Sequence, residues 1–331
     1  MNKLPKLTIG LPVYNGEAFI RKRLDNILSQ TFSDFQLIIS DDSTDSTPTI
    51  CKEFARKDKR IRYIHQEKRM GWMWSFRFVL EQAKSEYFVW AGVDDIWSPD
   101  FLEKNISVLD THKDVVGSIS KIEHYGPWGD EFAQKPRDST ILATYKKFRR
   151  LFRPFVHAPI IGTYEERINF ALKNTAYSHS YGLFRTNELQ KSLVPEIFCW
   201  DWAIILSVLR YGNLYLIEET LMRLHAGAGA SSAKLFKALS VQNSHINEYI
   251  APYSSFTIWC AKNLGVKLFM RNIRKFIWLN CFASPAAVLI GLIDLFKRKI
   301  LKKETCSICG KESEGKFCSK CIMAYNINKQ T

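Results

Sequence analysis

The sequence predicts an α/β fold, and three observations predict it. Short apolar runs rich in β-branched and aromatic residues recur between residues 7 and 125, helical periodicity fills the intervals, and acidic turns follow the runs. Composition permits a core of that size. Of 331 residues, 46% are apolar, which excludes a disordered or collagen-like polymer and allows one large domain or two ordinary ones.

Taken in order, Leu7 to Val13, Phe35 to Ser40, Ile61 to His65 and Tyr87 to Ala91 read as buried strands. Glu17 to Gln30 repeats Phe19, Ile20, Leu24, Ile27 and Leu28 at helical spacing, and Ser46 to Lys57 and Trp72 to Lys84 do likewise. Such alternation implies a parallel sheet with its ligand edge at the carboxyl ends of the strands. From Gly126 to Tyr164 the rhythm breaks at Pro127, Gly129, Pro136, Pro154 and Pro159, beside the basic cluster Lys146, Lys147, Arg149, Arg150 and Arg153. This stretch reads as a long, partly helical excursion. Tyr177 to Leu224 is ordered again, with an amphipathic helix from Trp200 to Arg210 and a strand at Leu214 to Ile217, and a helical pattern fills Ala233 to Leu264.

Lys and Arg number 47 against 33 Asp and Glu, a net charge of +14 that suits an anionic partner: a nucleotide, a nucleic acid or a lipid surface. Met1 to Pro5 lacks the apolar run of a secretory signal, and Leu7 to Val13 is too short to be one, so a cytosolic start is expected.

Three carboxylate sites stand out. Asp41-Asp42-Ser43-Thr44-Asp45 follows a strand, where carboxylates accept hydrogen bonds from a base or ribose; capping of the next helix by Asp45 or Ser46 is the equal alternative. Asp94 and Asp95 follow the fourth strand. Adjacent carboxylates on a turn repel unless a cation is present, and Mg²⁺ or Mn²⁺ takes few protein ligands beside substrate phosphates. Ser98 or Asp100 is read as the cap of the next helix, with Pro99 in its first turn. The third site, Asp201, lies between Trp200 and Trp202 at a helix start. Indoles there would desolvate the carboxylate, as suits a general base, whereas a plain helix N-terminal Asp is the bland reading.

Together, Leu11-Pro12-Val13-Tyr14-Asn15-Gly16-Glu17, the Asp41 to Asp45 run, Gly71 with Trp74-Ser75-Phe76, and Glu86 through Asp100 resemble family 2 glycosyltransferases of the GT-A fold, in order and spacing across about 100 residues. The resemblance continues more weakly through Tyr181 to Arg185, Trp200 to Trp202 and Met222 to His225. It implies a Rossmann-like nucleotide-diphospho-sugar transferase, with a mixed sheet flanked by helices, transferring a sugar with inversion to a hydroxyl of a glycan or lipid-linked acceptor. It further implies that Pro12, Tyr14 and Glu17 line the nucleotide pocket, with Asp42 and Asp41 facing the base or its surroundings. Asp94 and Asp95 fall on the metal element, Asp95 as the direct Mn²⁺ or Mg²⁺ ligand; Asp201 falls on the acceptor-activating base, and His225 near the diphosphate. Arg69, Arg77 and Arg223 are further phosphate candidates, with a solvated or structural arginine the favoured reading of each.

Departures are visible too. Gly92 stands where many relatives carry a further Asp, Ser75 and Arg77 stand where relatives often show Asn, and the Gln-x-x-Arg-Trp element of processive synthases does not occur. Single addition is therefore expected. Gly92 also keeps open a second reading, a catalytically weak or inactive nucleotide-sugar-binding protein.

The expected organisation is a GT-A domain over 1–232, with a nucleotide half 1–125 and an acceptor half 126–232, a helical basic region over 233–303 and a small zinc ribbon over 304–331. Phe276 to Phe296 is largely apolar but interrupted by Asn280, Ser284, Pro285 and Asp294. From Lys267 onward, thirteen Lys and Arg face four Asp and Glu, which fits an anionic membrane surface at the inner, cytoplasmic face. An in-plane or re-entrant helix pair is the preferred arrangement, ahead of a true span or a helix packed on the core. Cys306, Cys309, Cys318 and Cys321 form two Cys-x-x-Cys knuckles, the ligand set of a structural Zn²⁺. Only Phe317 and Tyr325 supply aromatic faces there, so nucleic acid is not the expected partner.

Overall fold

The computed structural model describes residues 4–125, 157–225, 246–286, 288–289, 292, 304–305 and 312–313. Four parallel strands form the heart of the sheet: β1 (Leu7–Val13), β2 (Phe35–Asp41), β3 (Ile61–His65) and β4 (Tyr87–Trp90). Between them run α1 (Ile20–Leu28), α2 (Thr47–Lys57) and α3 (Trp72–Glu81). These are the elements the periodicity predicts, with the helices and β4 shorter than expected and β2 one residue longer.

Strand direction then alternates. After β5 (Ile96–Trp97) and α4 (Phe101–Thr111) come β6 (Val115–Tyr125), α5 (Tyr164–Asn174), a 3₁₀ turn (Ala176–Tyr181), β7 (Leu183–Arg185), α6 (Thr186–Lys191), α7 (Trp200–Val208) and β8 (Asn213–His225). Eight strands lie in the order β3-β2-β1-β4-β7-β6-β8-β5. Strand β7 is antiparallel to β4 and β6, and β5 is antiparallel to β8, so the sheet is mixed. One sheet therefore joins residues from Leu7 to His225.

Strands buried on both faces explain the unbroken apolar runs. Tyr87 and Val89 join the core under α1 and α4, while Phe88 and Trp90 join the opposite core with α3, α5 and α7. Three sequence expectations change here. Strand β3, expected buried, is the edge strand of the sheet and buries only Ile61. Helix α7 is not amphipathic: Trp200, Trp202, Ala203, Ile204, Ile205, Leu206 and Val208 are all buried, because further helices cover the face that would have met solvent. The strand expected at 214–217 runs on to His225, since it pairs along the whole of β6, from Val115–Asn213 to Tyr125–His225.

The covering helices are α8 (Ile246–Ile250), α9 (Ser254–Asn263), α10 (Val266–Arg271) and α11 (Ile273–Trp278), which continues into a π-helical turn over Leu279–Ala283. Phe276, Leu279 and Ala283 enter the core, and Asn280 Nδ2 donates to Thr257 Oγ1 at 2.7 Å. The described part of the 276–296 segment thus packs one face on the protein. No helix among the described residues is long and apolar enough to cross a membrane. A two-stranded ribbon pairs β9 (Glu304–Thr305) with β10 (Glu312–Ser313), but the four cysteines of the expected zinc site lie outside the described residues.

Candidate active site

Strand β1 lies between β2 and β4, so their carboxyl ends place Tyr14, Asp41, Asp42 and the Gly92–Asp95 turn along one edge. On the β2 side the loops are bonded into one unit. Asn15 takes a left-handed φ of 48°, a conformation Asn tolerates, and its N–H donates to Ser43 Oγ at 2.7 Å. Thr44 N–H returns a bond to Asn15 Oδ1 at 2.9 Å, Gly16 N–H donates to Thr47 Oγ1 at 2.9 Å, and Ser46 Oγ donates to Glu17 Oε2 at 2.8 Å.

Asp41 has no exposed surface; Ser43 N–H (2.9 Å) and Tyr63 OH (2.8 Å) donate to its two oxygens. Asp42 accepts from Met70 N–H at 2.9 Å. Half-buried Pro12 leads to Tyr14, which is 41% exposed with the Arg69 guanidinium 3.7 Å from its ring centre. Arg77 instead pairs with Glu81 at 2.7 Å and Arg223 with Glu123 at 3.0 Å, leaving Arg69 as the arginine of the three beside the nucleotide loops. The helix start after this loop is held at Thr47 N–H by Asp45 Oδ1, at 3.0 Å, not by Ser46.

On the β4 side, Asp95 is folded back over Gly92. A Cβ at residue 92 would stand 2.3 Å from Asp95 Oδ2, so only glycine leaves that space. Backbone N–H groups of His225 and Gly92 donate to the Asp95 carboxyl. Burial, then the charge of Asp94, pushes Asp95 up to about 7, against the opposing charge of Arg23. Asp94 is more open, its side chain 39% exposed, with His225 Nδ1 at 3.5 Å from Oδ2. Tyr125 OH donates to Asp94 O at 2.6 Å, and the rings of Phe19 and Tyr125 each lie 5.2 Å from that of His225. The long β6–β8 pairing therefore delivers His225 to the acidic turn. Pro99 lies outside α4; Asp100 flanks the helix, accepting from Ser98 Oγ at 2.8 Å and pairing with Lys104 at 2.7 Å, and no side-chain cap forms there.

Asp201 arrives from the far half of the sequence. Trp200 meets Trp90 edge-on at 5.6 Å and Trp72 at 6.2 Å, while Trp202 stacks on Phe256 at 4.8 Å. Two anchored indoles thus fix the carboxylate between them, with Oδ1 accepting from Trp202 N–H at 2.9 Å. Tyr181 closes the 3₁₀ turn before β7. Its hydroxyl is pushed well above the ordinary tyrosine range by burial and then by the charges of Asp95, Asp201 and Asp94. Sequence reasoning placed Tyr181 in the weaker part of the resemblance but assigned it no role. It also missed Arg23, although Ile20, Arg23, Leu24 and Ile27 all turn inward and the helical spacing could have revealed it.

Among the described residues no three His, Cys, Asp or Glu side chains are disposed to enclose an ion by themselves. Asp94 and Asp95 still fit a hard divalent cation, because adjacent carboxylates lacking a full cage match ions whose remaining ligands are substrate phosphates and water.

A mixed sheet with parallel leading strands and acidic turns at their carboxyl edge defines a nucleotide-sugar transferase fold of the GT-A type. The chain belongs to glycosyl transferase family 2, whose description matches residues 8–187. It is 37% identical over 99 residues to the glycosyltransferase GlyA of Streptococcus pneumoniae serotype 4, a match covering 30% of this chain and 14% of that protein. It is 26% identical over 240 residues to TuaG of Bacillus subtilis, a glycosyltransferase named for teichuronic acid biosynthesis, covering 72% of this chain and 85% of TuaG. The fold matches the mannosyltransferase PcManGT of Pyrobaculum calidifontis, solved with GDP-Man and Mn²⁺, at a TM-score of 0.53 and 16% identity over 90% of this chain and 76% of that one.

Proposed function

We propose that the chain transfers a sugar from a nucleotide diphosphosugar to a hydroxyl of a glycan or lipid-linked acceptor, inverting the anomeric centre, in cell-surface polysaccharide synthesis. The observation that carries this reading is the Asp94–Asp95 turn at the carboxyl edge of the parallel strands, with His225 Nδ1 3.5 Å from Asp94 Oδ2. Asp94 and Asp95 are carboxylates able to hold a donor's ion, and Asp201 is one able to take a proton. The TuaG likeness and the GDP-Man and Mn²⁺ bound by PcManGT support the same class of reaction.

In this reading Pro12, Tyr14, Glu17 and Asp42 border the nucleotide, with Asp41 bracing their loop from beneath. Asp95 and Asp94 would hold Mn²⁺ or Mg²⁺, which supplies charge neutralisation for a departing diphosphate. His225, with Nδ1 3.5 Å from Asp94 Oδ2, steadies that acid and would meet the diphosphate. Asp201 accepts the proton of the acceptor hydroxyl as its oxygen attacks the anomeric carbon. The C–O bond to the diphosphate breaks on the opposite face, so single displacement inverts configuration.

The helical tail suits the anionic inner face of the cell membrane. Val266 (78% exposed), Met270, Ile277 and Phe282 lie outward among Lys267, Arg271 and Arg274, pairing apolar surface with positive charge. Cys306, Cys309, Cys318 and Cys321 are proposed as a structural Zn²⁺ set, checked by metal analysis of the purified protein and of a four-serine variant.

Incubation with UDP-, GDP- and dTDP-sugars and Mn²⁺ tests the reaction by nucleoside diphosphate release, with NMR of the product for anomeric configuration. Release from one donor, abolished in folded Asp95→Ala and Asp201→Ala, is expected. Donor binding without turnover in any pairing would favour the inactive binding protein instead.

A further inference from the structure

A cavity of about 140 Å³ opens between α6, α7 and α9, and none of its lining residues belongs to the candidate active site. Lys191 and Arg210 border it and are exposed, while Val194, Leu206, Trp259 and Leu264 border it and are buried. Its solvent side is therefore cationic and its inner side apolar. A space of about 150 Å³ is room enough for a ring the size of benzene.

Neither cation pairs with a carboxylate among the described residues, and no acid lines the cavity. Arg210 Nη2 donates to Asn263 O at 3.0 Å, which fixes the guanidinium between α7 and α9 without spending its charge. Lys267 and Arg271, by contrast, both meet Glu165. A single cation in or just past a last helical turn is ordinary, because it answers the helix dipole. Two such cations beside one cavity repel each other, and an anion between them relieves the repulsion. The apolar side asks in addition for carbon. Ile258 (51% exposed), beside Trp259, and Val266 (78% exposed), just beyond Leu264, continue the apolar surface outward, as a face covered by lipid would.

We propose that this cavity binds the phosphate of an anionic membrane lipid, with Lys191 and Arg210 taking the phosphate and the Trp259 side taking the carbons next to it. The inference rests on the reading of the helical tail as membrane-facing, and it adds a discrete site to what is otherwise a charged apolar surface. Arginine offers paired donors to phosphate oxygens and lysine a mobile point charge, so the two together suit a phosphate ester. Ser207, which also lines the cavity, stands six residues after Asp201 on α7, roughly 9 Å along the axis. An occupied cavity would therefore hold the helix that carries Asp201 close to the bilayer, where a lipid-linked acceptor is met.

Calorimetric titration of the full chain with soluble dihexanoyl phosphatidic acid tests this without any turnover. Saturable binding is expected, about tenfold weaker in a Lys191→Gln/Arg210→Gln variant that has lost its charge-assisted hydrogen bonds. Circular dichroism checks that variant's fold, and Lys191→Gln alone serves if the pair does not fold. No saturable binding, or binding unchanged in the variant, would overturn the proposal. Inorganic phosphate lacks the apolar stem and should bind more weakly; equal affinity would make this a site for free phosphate and overturn the lipid assignment. A Val266→Ser/Met270→Ser variant should lose co-sedimentation with phosphatidic acid vesicles and keep its affinity for the soluble lipid, whereas loss of both would place lipid binding on the tail surface and overturn the cavity. Lipid binding that depends on Lys191 and Arg210 in a chain that transfers no sugar from any donor would support the site and count against the proposed reaction.

Discussion

Asp41 and Asp95 are both buried carboxylates at the carboxyl ends of strands flanking β1, yet their surroundings differ. Asp41 spends both oxygens on Ser43 N–H and Tyr63 OH, inside a loop pair cross-linked from Asn15 to Thr47. Asp95 sits beside a second carboxylate, and the guanidinium whose charge acts on it has two donors unbonded. One turn is electrostatically complete and the other is not. Completeness suits a rigid wall for a nucleotide, whereas imbalance suits a site that waits for an ion and a diphosphate to finish it.

The contrast can be broken most sharply by exchange of single atoms. Asp201→Asn should lower kcat about 10³-fold, within the range for loss of a general base, while the melting temperature stays near that of the native chain. Preserved turnover would remove Asp201 from the chemistry. Asp41→Ala should do the reverse. It strands the Ser43 N–H and Tyr63 OH in a buried site and should cost about 2–4 kcal/mol in urea unfolding, while protein that remains folded keeps most of its turnover. A large kcat loss with unchanged stability would reverse the assignment of the two acids.

Gly92→Ala comes next. The new Cβ must expel the Asp95 carboxyl from its place, so roughly tenfold weaker turnover with altered Mn²⁺ affinity is expected. A crystal structure of this variant with Asp95 unmoved would contradict the crowding argument.

The smallest effect is on pH dependence. Burial lowers His124 and His179, and holds His157 down to about 4. The unfolded chain therefore takes up protons first. The stability these groups contribute is complete above about pH 6.5 and drains away as pH falls toward about 4. Asp95, raised to about 7, acts in the opposite sense, since its protonation in the folded state stabilises on acidification. In an Asp95→Asn background the urea midpoint should accordingly fall between pH 7 and pH 5, and His157→Gln should flatten the slope. A midpoint that rises on acidification would show that the histidines are not held neutral.

Much of the nucleotide side could be read in the linear pattern. Leu7–Val13, Phe35–Asp41 and Tyr87–Trp90 are continuous apolar runs because both faces of their sheet are covered, and acids follow within four residues of each strand's end. The helix bearing Asp201 was legible as a helix but not as a buried one. Its covering helix contributes Phe256, distant in sequence, and no local period announces that packing. His225 was legible as a motif residue, whereas its approach to Asp94 depends on the full length of the β6–β8 pairing.

Sequence by itself determined the alternating elements, the acidic turns and the likeness to the family, because strand and helix periods and motif spacing are local properties of the chain. Tertiary structure alone decided that Asp95 lies over Gly92, that His225 comes within 3.5 Å of Asp94, and that Trp200 and Trp202 are buried on either side of Asp201. The physical reason is range. Hydrogen-bonded periodicity is set by neighbours a few residues away, while burial and the field of a charge depend on which distant segments the fold brings together.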